Sequence, residues 1–280
     1  MPELPEVESL RRSLEPHLKG RRLREVGVHA PKLRWDIPKS ALHALGRKGA
    51  EVVSLRRRGK YLIIDFDHGA SVLSHLGMSG QWLVDEPYFP GRHMHLRFVF
   101  DGCELIYRDP RRFGMIDVVP TERLFEHPRL CDLGPEPLSS DFGLSALWPS
   151  FRTAKQPVKT WLMNAKNVVG VGNIYACEAL FIANISPRRK AQSLAAKTQP
   201  GIRSERLVTA VKSVLETAIE AGGSTLKDFQ DVEGKAGYFA HQFQVYGREG
   251  KPCVRPKCSS VISRIVQGGR STFYCPSCQR

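Results

Sequence analysis

Four cysteines near the C-terminal end constrain the fold of this chain more than any other feature. Cys253 and Cys258 form a Cys-x4-Cys pair, and sixteen residues later Cys275 and Cys278 form a Cys-x2-Cys pair. This spacing lets two pairs of thiolates close one tetrahedral zinc site. Two disulfides are the alternative, which the lack of a secretory signal pattern disfavours. We therefore predict one structural zinc ion with all four ligand positions filled by protein.

The segment between the two cysteine pairs predicts a β-hairpin. "SSVISRIVQ" and "RSTFY" are strand-like, and Gly268–Gly269 between them suits a two-residue turn. A hairpin with zinc at its base is a zinc ribbon, and its tip would present Arg270. The other cysteines, Cys103, Cys131 and Cys177, are predicted to be small buried hydrophobic residues.

The charge of the chain indicates a polyanionic partner. Its 280 residues include 42 Lys and Arg against 28 Asp and Glu, a formal net charge of +14. Basic residues cluster in "RRRGK" (56–60), "PRRFG" (110–114) and "PRRK" (187–190), which favours nucleic acid over a membrane surface. No run of about 18 apolar residues is present to span a bilayer. Without a signal-peptide pattern, the expected location is the cytoplasm.

The length predicts two domains that differ in secondary structure. Short strands are expected from about 51 to 119. One of them, "HMHLRFVF", alternates so that His93, His95 and Arg97 would lie on the basic outer face of a half-buried antiparallel strand. Six prolines in residues 120–157 mark the hinge between the domains.

Apolar residues at helical spacing predict three helices. The first covers residues 5–15 and ends at Pro16 and Gly20, the second is the largely buried "NIYACEALFIANI", and the third has Ser204 as its N-cap and Gly222 as its stop. The apolar stripes are Val7, Leu10 and Leu14 in the first helix and Leu207, Val211, Leu215 and Ile219 in the third.

Two glycines precede the second of these helices. Gly170 and Gly172 form a tight turn, and Asn173 lies where the helix begins. The backbone N–H groups of a helix start can hold a phosphate, helped by the helix dipole. A turn with no ligand is the alternative.

The chain opens with "MPELPEVE", which combines two prolines with three carboxylates. If Met1 is removed, Pro2 carries a terminal amine, and roughly 10 to 15% of a generic α-amine is neutral at pH 7. Such a secondary amine can attack a sugar aldehyde carbon and form an iminium, which acts as an electron sink. Glu3 and Glu6 would lie beside it to move protons. The alternative is that these residues only begin a helix well.

Nine strings, taken in order, resemble bacterial formamidopyrimidine-DNA glycosylases. They are "PELPEVE", "RGKYL", "HLGMSG", "DPRRFG", "LGPEPL", "GVGNIYACE", "GGSTLKDF", "GKAGYFAHQFQVYGREGKPC" and the four-cysteine ribbon. The resemblance implies an α+β fold. We expect an N-terminal antiparallel β-sandwich with flanking helices over 1–135, a helical domain with a helix-two-turns-helix element over 136–240, and a zinc-ribbon β-hairpin over 241–280.

The resemblance implies a bifunctional DNA glycosylase and AP lyase of base excision repair. It would excise oxidised purines, such as 8-oxoguanine and formamidopyrimidines, from duplex DNA and then cleave the strand by β- and δ-elimination. Pro2 matches the family nucleophile, which attacks C1′ and forms a Schiff base, and Glu3 matches the acid/base at the sugar. Lys60 of "RGK" matches a lysine that aids catalysis, and Arg270 is expected to serve catalysis as well as DNA binding.

An extruded base leaves a gap in the duplex that side chains must fill. Met78, Arg111 and Phe113 match the three gap-filling side chains of the family. The other expected DNA contacts are His75, Arg112, Lys159, Asn173 and Arg270, and the residues expected at the extruded lesion are Glu6, Ser224 and Thr225.

One departure from the family pattern and two rival functions stay open at this point. The first cysteine pair has four intervening residues where the family usually has two, which leaves the shape of that knuckle undetermined. An endonuclease VIII-like glycosylase for oxidised pyrimidines is the nearest rival function, and a noncatalytic zinc-ribbon binder of damaged DNA is the rival from another class. In each case the expected partner is damaged double-stranded DNA, bound by a monomer with no membrane contact. The expected location is the bacterial cytoplasm, at the nucleoid when bound to DNA.

Overall fold

The computed structural model describes residues 1–30, 32–90, 93–195, 201–224 and 238–280. The chain divides into two compact units. One comprises Met1–Cys131 with Ala221–Tyr238, and the other comprises Asp132–Glu220 with Phe239–Arg280. The three domain ranges expected from the sequence stay a prediction. Thr225, expected at the lesion, lies outside the described residues.

The described residues of the first unit form two four-stranded antiparallel sheets. The strands are β1 (Leu23–Val28), β2 (Val52–Arg58), β3 (Tyr61–Phe66), β4 (Ala70–His75), β5 (Gln81–Val84), β6 (Met94–Phe100), β7 (Cys103–Arg108) and β8 (Met115–Pro120). One sheet has the order β1-β6-β7-β5 and the other has the order β2-β3-β4-β8. Three of the six strand pairings, β2-β3, β3-β4 and β6-β7, join consecutive strands through short turns.

Both sheets contribute to one apolar core, together with helices α1 (Leu4–Leu18) and α2 (Lys39–Lys48). Leu10 and Leu14 of α1, Leu42 of α2, Ile64 and Val72 of one sheet, and Phe98 and Leu105 of the other sheet all belong to this core. Side chains from two sheet faces that share a core define a β-sandwich. The expected α+β fold, with an N-terminal antiparallel sandwich and flanking helices, is confirmed.

Two local predictions for this unit are wrong. The first helix passes through Pro16 and ends at Leu18, because a proline in the last turn removes only one backbone hydrogen bond. His95 is only 3% exposed and does not lie on a basic outer face. A register shift between Met94 and Leu96 interrupts the strand alternation there, so three successive side chains are buried.

The second unit is helical and ends in a β-hairpin. Its described α-helices and strands are α3 (Leu144–Thr153), α4 (Val158–Leu162), α5 (Asn173–Ile182), α6 (Ile202–Glu220), β9 (Ser263–Gln267) and β10 (Arg270–Tyr274). Residues 163–172 turn the chain between α4 and α5, which confirms the helix-two-turns-helix element. The second predicted helix is largely buried, as expected.

The third predicted helix is longer than its sequence pattern indicated. It begins at Ile202, so Ser204 is a buried helical residue and not the N-cap; its hydroxyl donates to the Gly201 carbonyl at 2.6 Å. The apolar stripe from Leu207 to Ile219 is buried as predicted. Cys131 is exposed, which contradicts the prediction of burial. Among the helices that the structure describes, none is long and apolar enough to cross a membrane.

Candidate active site and nucleic-acid interface

The first residues of the chain are held inside the first unit. Met1 is 48% exposed, whereas Pro2 and Glu3 are buried. Glu3 is the N-cap of α1, and its carboxylate accepts the backbone N–H of Glu6. In return the Glu3 backbone N–H donates to the Glu6 carboxylate at 2.7 Å. This reciprocal capping box fixes the backbone next to Pro2.

Glu6 connects the start of α1 to the segment that follows α6. The backbone N–H and the hydroxyl of Ser224 both donate to one Glu6 oxygen, at 2.8 and 2.9 Å. Gly223 has a φ of +84°, and a Cβ there would lie 3.2 Å from the Glu6 side chain. Two residues expected at the lesion, Glu6 and Ser224, are therefore in direct contact. The Glu6 carboxylate is 2% exposed, and its hydrogen bonds offset the cost of burying it.

Lys60 lies in the tight turn between β2 and β3, after Gly59, whose φ is +56°. Arg57 holds this turn, since its guanidinium donates to the Gly59 carbonyl and to the Glu8 carboxylate, both at 3.1 Å. Burial raises the pKa of Glu8, but hydrogen bonds and charge from Arg11 and neighbouring arginines lower it to a net value below the ordinary one. Glu8 is thus an anion that orders the base of the Lys60 turn. Neither Glu8 nor Arg57 was expected from the sequence.

His75 ends β4 as a neutral side chain. Burial, followed by the charges of Lys60 and Arg34, lowers its pKa to about 4. The backbone N–H of Gly77 donates to Nδ1 at 3.0 Å, so the ring proton of the neutral form is on Nε2. His75 is therefore a neutral hydrogen-bond donor at physiological pH.

Met78 and Phe113 project from two loops that touch each other. Their side chains are 38% and 43% exposed. A Cβ at Gly77 would lie 2.3 Å from the Phe113 carbonyl, so only glycine permits this approach. The Arg111 guanidinium lies 4.9 Å from the centroid of the Phe113 ring, and Arg112 is exposed beside them with a φ of +51°. The three predicted gap-filling side chains thus lie on adjoining loops.

Asp109 organises both loops and was missed in the sequence. Its carboxylate is fully buried and accepts the Ser79 hydroxyl at 2.6 Å, the Gly114 N–H at 2.8 Å and the Arg111 N–H at 3.3 Å. One carboxylate therefore ties the Met78 loop to both ends of the Arg111–Phe113 segment. An aspartate directly before a proline favours turns of this kind, which is the signal that the sequence offered.

In the second unit, Lys159 is an internal residue. Its side chain is fully buried, and its amine donates to the Asn173 side-chain carbonyl, to the Thr272 hydroxyl at 2.7 Å and to the Ser271 carbonyl at 3.3 Å. The Asn173 amide in turn donates to the Ser271 carbonyl at 2.9 Å. Three acceptors match the three protons of an ammonium group. Lys159 therefore joins the first residue of α5 to strand β10.

The hairpin β9-β10 has the predicted turn. Gln267 pairs with Arg270, and Gly268 and Gly269 between them have φ values of +54° and +72°, as a type I′ turn requires. Arg270 is exposed at the tip. The prediction of a hairpin presenting Arg270 is confirmed in its geometry, and the role of that arginine stays a prediction.

The four predicted metal ligands converge at the base of the hairpin. Their sulfurs all lie within 4.8 Å of one another. Individual Sγ–Sγ distances are 3.9 Å for Cys253–Cys278, 3.7 Å for Cys258–Cys275 and 3.5 Å for Cys258–Cys278. A tetrahedral ion with Zn–S bonds of about 2.3 Å places its sulfurs about 3.8 Å apart, whereas a disulfide requires about 2.05 Å. The donor set and the distances fit one structural zinc, and the longer first knuckle accommodates it.

An antiparallel β-sandwich, a helix-two-turns-helix element and a four-cysteine ribbon together define a class of zinc-ribbon DNA-repair proteins. Three family signatures match in chain order: "Formamidopyrimidine-DNA glycosylase N-terminal domain" at residues 1–116, "Formamidopyrimidine-DNA glycosylase H2TH domain" at residues 133–230, and "Zinc finger found in FPG and IleRS" at residues 250–280. The chain belongs to the formamidopyrimidine-DNA glycosylase family.

Full-length relatives and solved structures agree with this assignment. The formamidopyrimidine-DNA glycosylases of Paracoccus denitrificans and Cereibacter sphaeroides are 47% and 46% identical, and each alignment covers 100% of both chains. The MutM (Fpg) protein of Thermus thermophilus has a TM-score of 0.86 at 39% identity, covering 99% of this chain and 98% of that one. A Lactococcus lactis Fpg variant bound to DNA containing Fapy-dG has a TM-score of 0.88 at 31% identity, covering 100% of both chains.

Proposed function

We propose that this protein is a bifunctional DNA glycosylase and AP lyase that excises oxidised purines from duplex DNA. The proposal rests on one observation above all: the segment after Met1 is buried and fixed by hydrogen bonds from Glu3, Glu6 and Ser224. A segment that only began a surface helix would not need carboxylates that are 2 to 3% exposed. The family membership of the whole chain supports the same conclusion.

The chemistry begins with the removal of Met1, which is exposed and whose peptide bond would otherwise leave the Pro2 nitrogen without a nucleophilic lone pair. The Pro2 amine attacks C1′ of the damaged nucleotide, and the C1′–N bond to the base breaks, so the base departs with the bonding electron pair and takes up a proton. Glu3 moves protons at the sugar. Opening of the sugar ring gives an iminium between Pro2 and C1′, which carries its charge without a proton on nitrogen.

Strand cleavage follows from the same iminium. Loss of a C2′ proton delivers an electron pair that expels the 3′ phosphate, and a second elimination expels the 5′ phosphate. Each elimination uses the iminium as an electron sink, so a single amine serves both base removal and strand cleavage. Lys60 in its ordered turn and Arg270 at the ribbon tip supply positive charge for the phosphates.

Recognition of the lesion requires that the damaged nucleotide leave the stack. Met78 and Phe113 act as apolar wedges, and Arg111 hydrogen-bonds the base left without a partner. His75, Arg112 and Asn173 contact the phosphate backbone, where contacts position the duplex without reading its sequence. Glu6 and Ser224 lie near the extruded base, and the same role for Thr225 stays a prediction from the sequence. Because Lys159 is buried, it acts on DNA through Asn173, which it orients.

The second unit holds one zinc ion through Cys253, Cys258, Cys275 and Cys278. The ion stabilises the ribbon and takes no part in bond breaking, since all four ligand positions belong to cysteines. We further propose that the protein acts as a monomer in the bacterial cytoplasm, at the nucleoid while bound to damaged DNA.

Product analysis on matched duplexes tests the proposal. Duplexes carrying 8-oxoguanine, formamidopyrimidine or thymine glycol at one position are incubated with Met1-free protein, and the released base and the strand ends are identified. Release of the two purine lesions, with phosphate at both ends of the gap, is expected. Preferential release of thymine glycol would favour the oxidised-pyrimidine rival, and duplex binding with no base release would favour a noncatalytic binder.

A further inference from the structure

Two arginine side chains, Arg34 and Arg129, lie against the ring of Trp35. None of these three residues belongs to the site described above. The Trp35 ring is 38% exposed, and the guanidinium carbons of Arg129 and Arg34 lie 4.1 and 4.8 Å from its centroid. Among the described residues, neither guanidinium forms an ion pair with a carboxylate, although both are exposed. Two cations of like charge are thus gathered on one aromatic ring, and no carboxylate of the described residues pairs with either of them.

The backbone that carries this cluster is fixed. The Leu33 N–H donates to the Trp35 carbonyl at 2.9 Å, and the Leu130 N–H donates to the His127 carbonyl at 2.8 Å. Both leucines are buried, at 5% and 2% exposure. Each arginine therefore has a buried leucine beside it in the chain, which anchors the backbone from which its side chain extends.

The cluster adjoins the proposed DNA interface within the same unit. The Arg34 N–H donates to the Gly114 carbonyl at 3.2 Å, and Gly114 directly follows Phe113. Burial raises the pKa of Tyr61, and the charges of Arg129 and Arg34 act in the opposite direction, so both lie within electrostatic range of that ring. The Tyr61 ring is 4.8 Å from the ring of His75, a proposed phosphate contact.

We propose that Arg129 and Arg34, ordered by Trp35, form an additional binding site for a backbone phosphate of duplex DNA. A guanidinium is weakly hydrated, stacks on aromatic rings and binds phosphate through paired N–H groups. A diester phosphate relieves the repulsion between the two cations, which no carboxylate in the described part of the chain relieves. The inference rests on the proposed function, since the ligand is the duplex that the enzyme repairs.

Binding of a labelled duplex at several salt concentrations tests the site. Loss of one phosphate contact in Arg129→Gln is expected to reduce the slope of log K against log salt by about 0.9. Trp35→Leu removes the ring but no charge, so its affinity should fall at least about twofold while the slope stays. Arg123→Gln is the matched control, because Arg123 is exposed on the 3-10 helix Thr121–Glu126 but is already paired with Glu126 at 2.8 Å.

An Arg129→Gln slope equal to that of the unmodified protein would overturn the inference, as would an equal loss in Arg123→Gln. Unchanged affinity in Trp35→Leu would overturn the role of the ring. Failure of the proposed function is recognised separately: it is shown by unmodified, Met1-free protein that binds the duplex but releases no base.

Discussion

The contact between the Met78 loop and the Phe113 loop predicts a large effect for Gly77→Ala. The φ of +62° at Gly77 costs alanine about 1–2 kcal/mol. The new Cβ would also lie 2.3 Å from the Phe113 carbonyl and 2.7 Å from the Gly114 nitrogen. Relief of this clash moves Gly114. The Gly114 N–H donates a hydrogen bond of 2.8 Å to the buried Asp109 carboxylate, and this hydrogen bond contributes about 1.5–3 kcal/mol to the free energy of unfolding. We expect a total destabilisation of about 2.5–5 kcal/mol.

Gly69→Ala is the matched control for this substitution. Gly69 has a φ of +70°, and a Cβ there would meet nothing within 4 Å. It should therefore lose only the conformational term of about 1–2 kcal/mol. The difference of about 1.5–3 kcal/mol between the two variants isolates the loop contact.

Equilibrium urea unfolding measures both free energies, and titration of a duplex containing an abasic-site analogue measures the functional consequence. Gly77→Ala should bind this duplex at least about tenfold more weakly, since about 1.4 kcal/mol corresponds to tenfold and both wedge side chains are displaced. Gly69→Ala should bind it within about twofold of the unmodified protein. Equal unfolding free energies for the two variants would refute the contact, and equal duplex affinities would refute its link to lesion binding.

Three further predictions concern other parts of the site. The pKa of His75 in the folded protein, about 4, lies below its ordinary value of 6.5. Its contribution to the free energy of unfolding is therefore complete above pH 6.5 and falls by about 3 kcal/mol as the pH is lowered toward 4. The free energy of unfolding of His75→Gln should lack this fall, and parallel pH profiles for the two proteins would contradict the prediction. Glu6→Gln should slow strand cleavage about tenfold or more, because three donors lose a carboxylate acceptor. Glu15→Gln, at a partly exposed partner of Arg11 on the same helix, should not slow it, and equal rates for both variants would oppose this role. Removal of zinc by a chelator should disorder residues 250–280 and abolish tight duplex binding, measured by circular dichroism and duplex titration, and retained affinity would show that the ribbon is dispensable.

The features predicted correctly from the sequence are those that local chemistry determines. The zinc site depends on the spacing of cysteine pairs, and the hairpin depends on Gly268–Gly269, whose positive φ values few other residues adopt. The apolar stripe of α6 follows from helical periodicity alone. None of these features needs knowledge of a distant partner.

The features that were missed depend on tertiary contacts. His95 is buried because a register shift interrupts the alternation of β6, which no property of the sequence indicates. Asp109 gathers donors from two loops that are 30 residues apart. Lys159 was expected to contact DNA, but Thr272, 113 residues away, provides one of the acceptors that allow it to be buried.

The central claim is that the Pro2 amine forms the covalent intermediate. Borohydride reduction of the reaction between Met1-free protein and an 8-oxoguanine duplex, followed by digestion and mass spectrometry, locates the adduct on the chain. The account predicts one adduct, on the N-terminal peptide at Pro2, and none in Pro2→Gly at an early time when the unmodified protein is fully trapped. An adduct on a lysine such as Lys60, or base release with no trapped species, would contradict it.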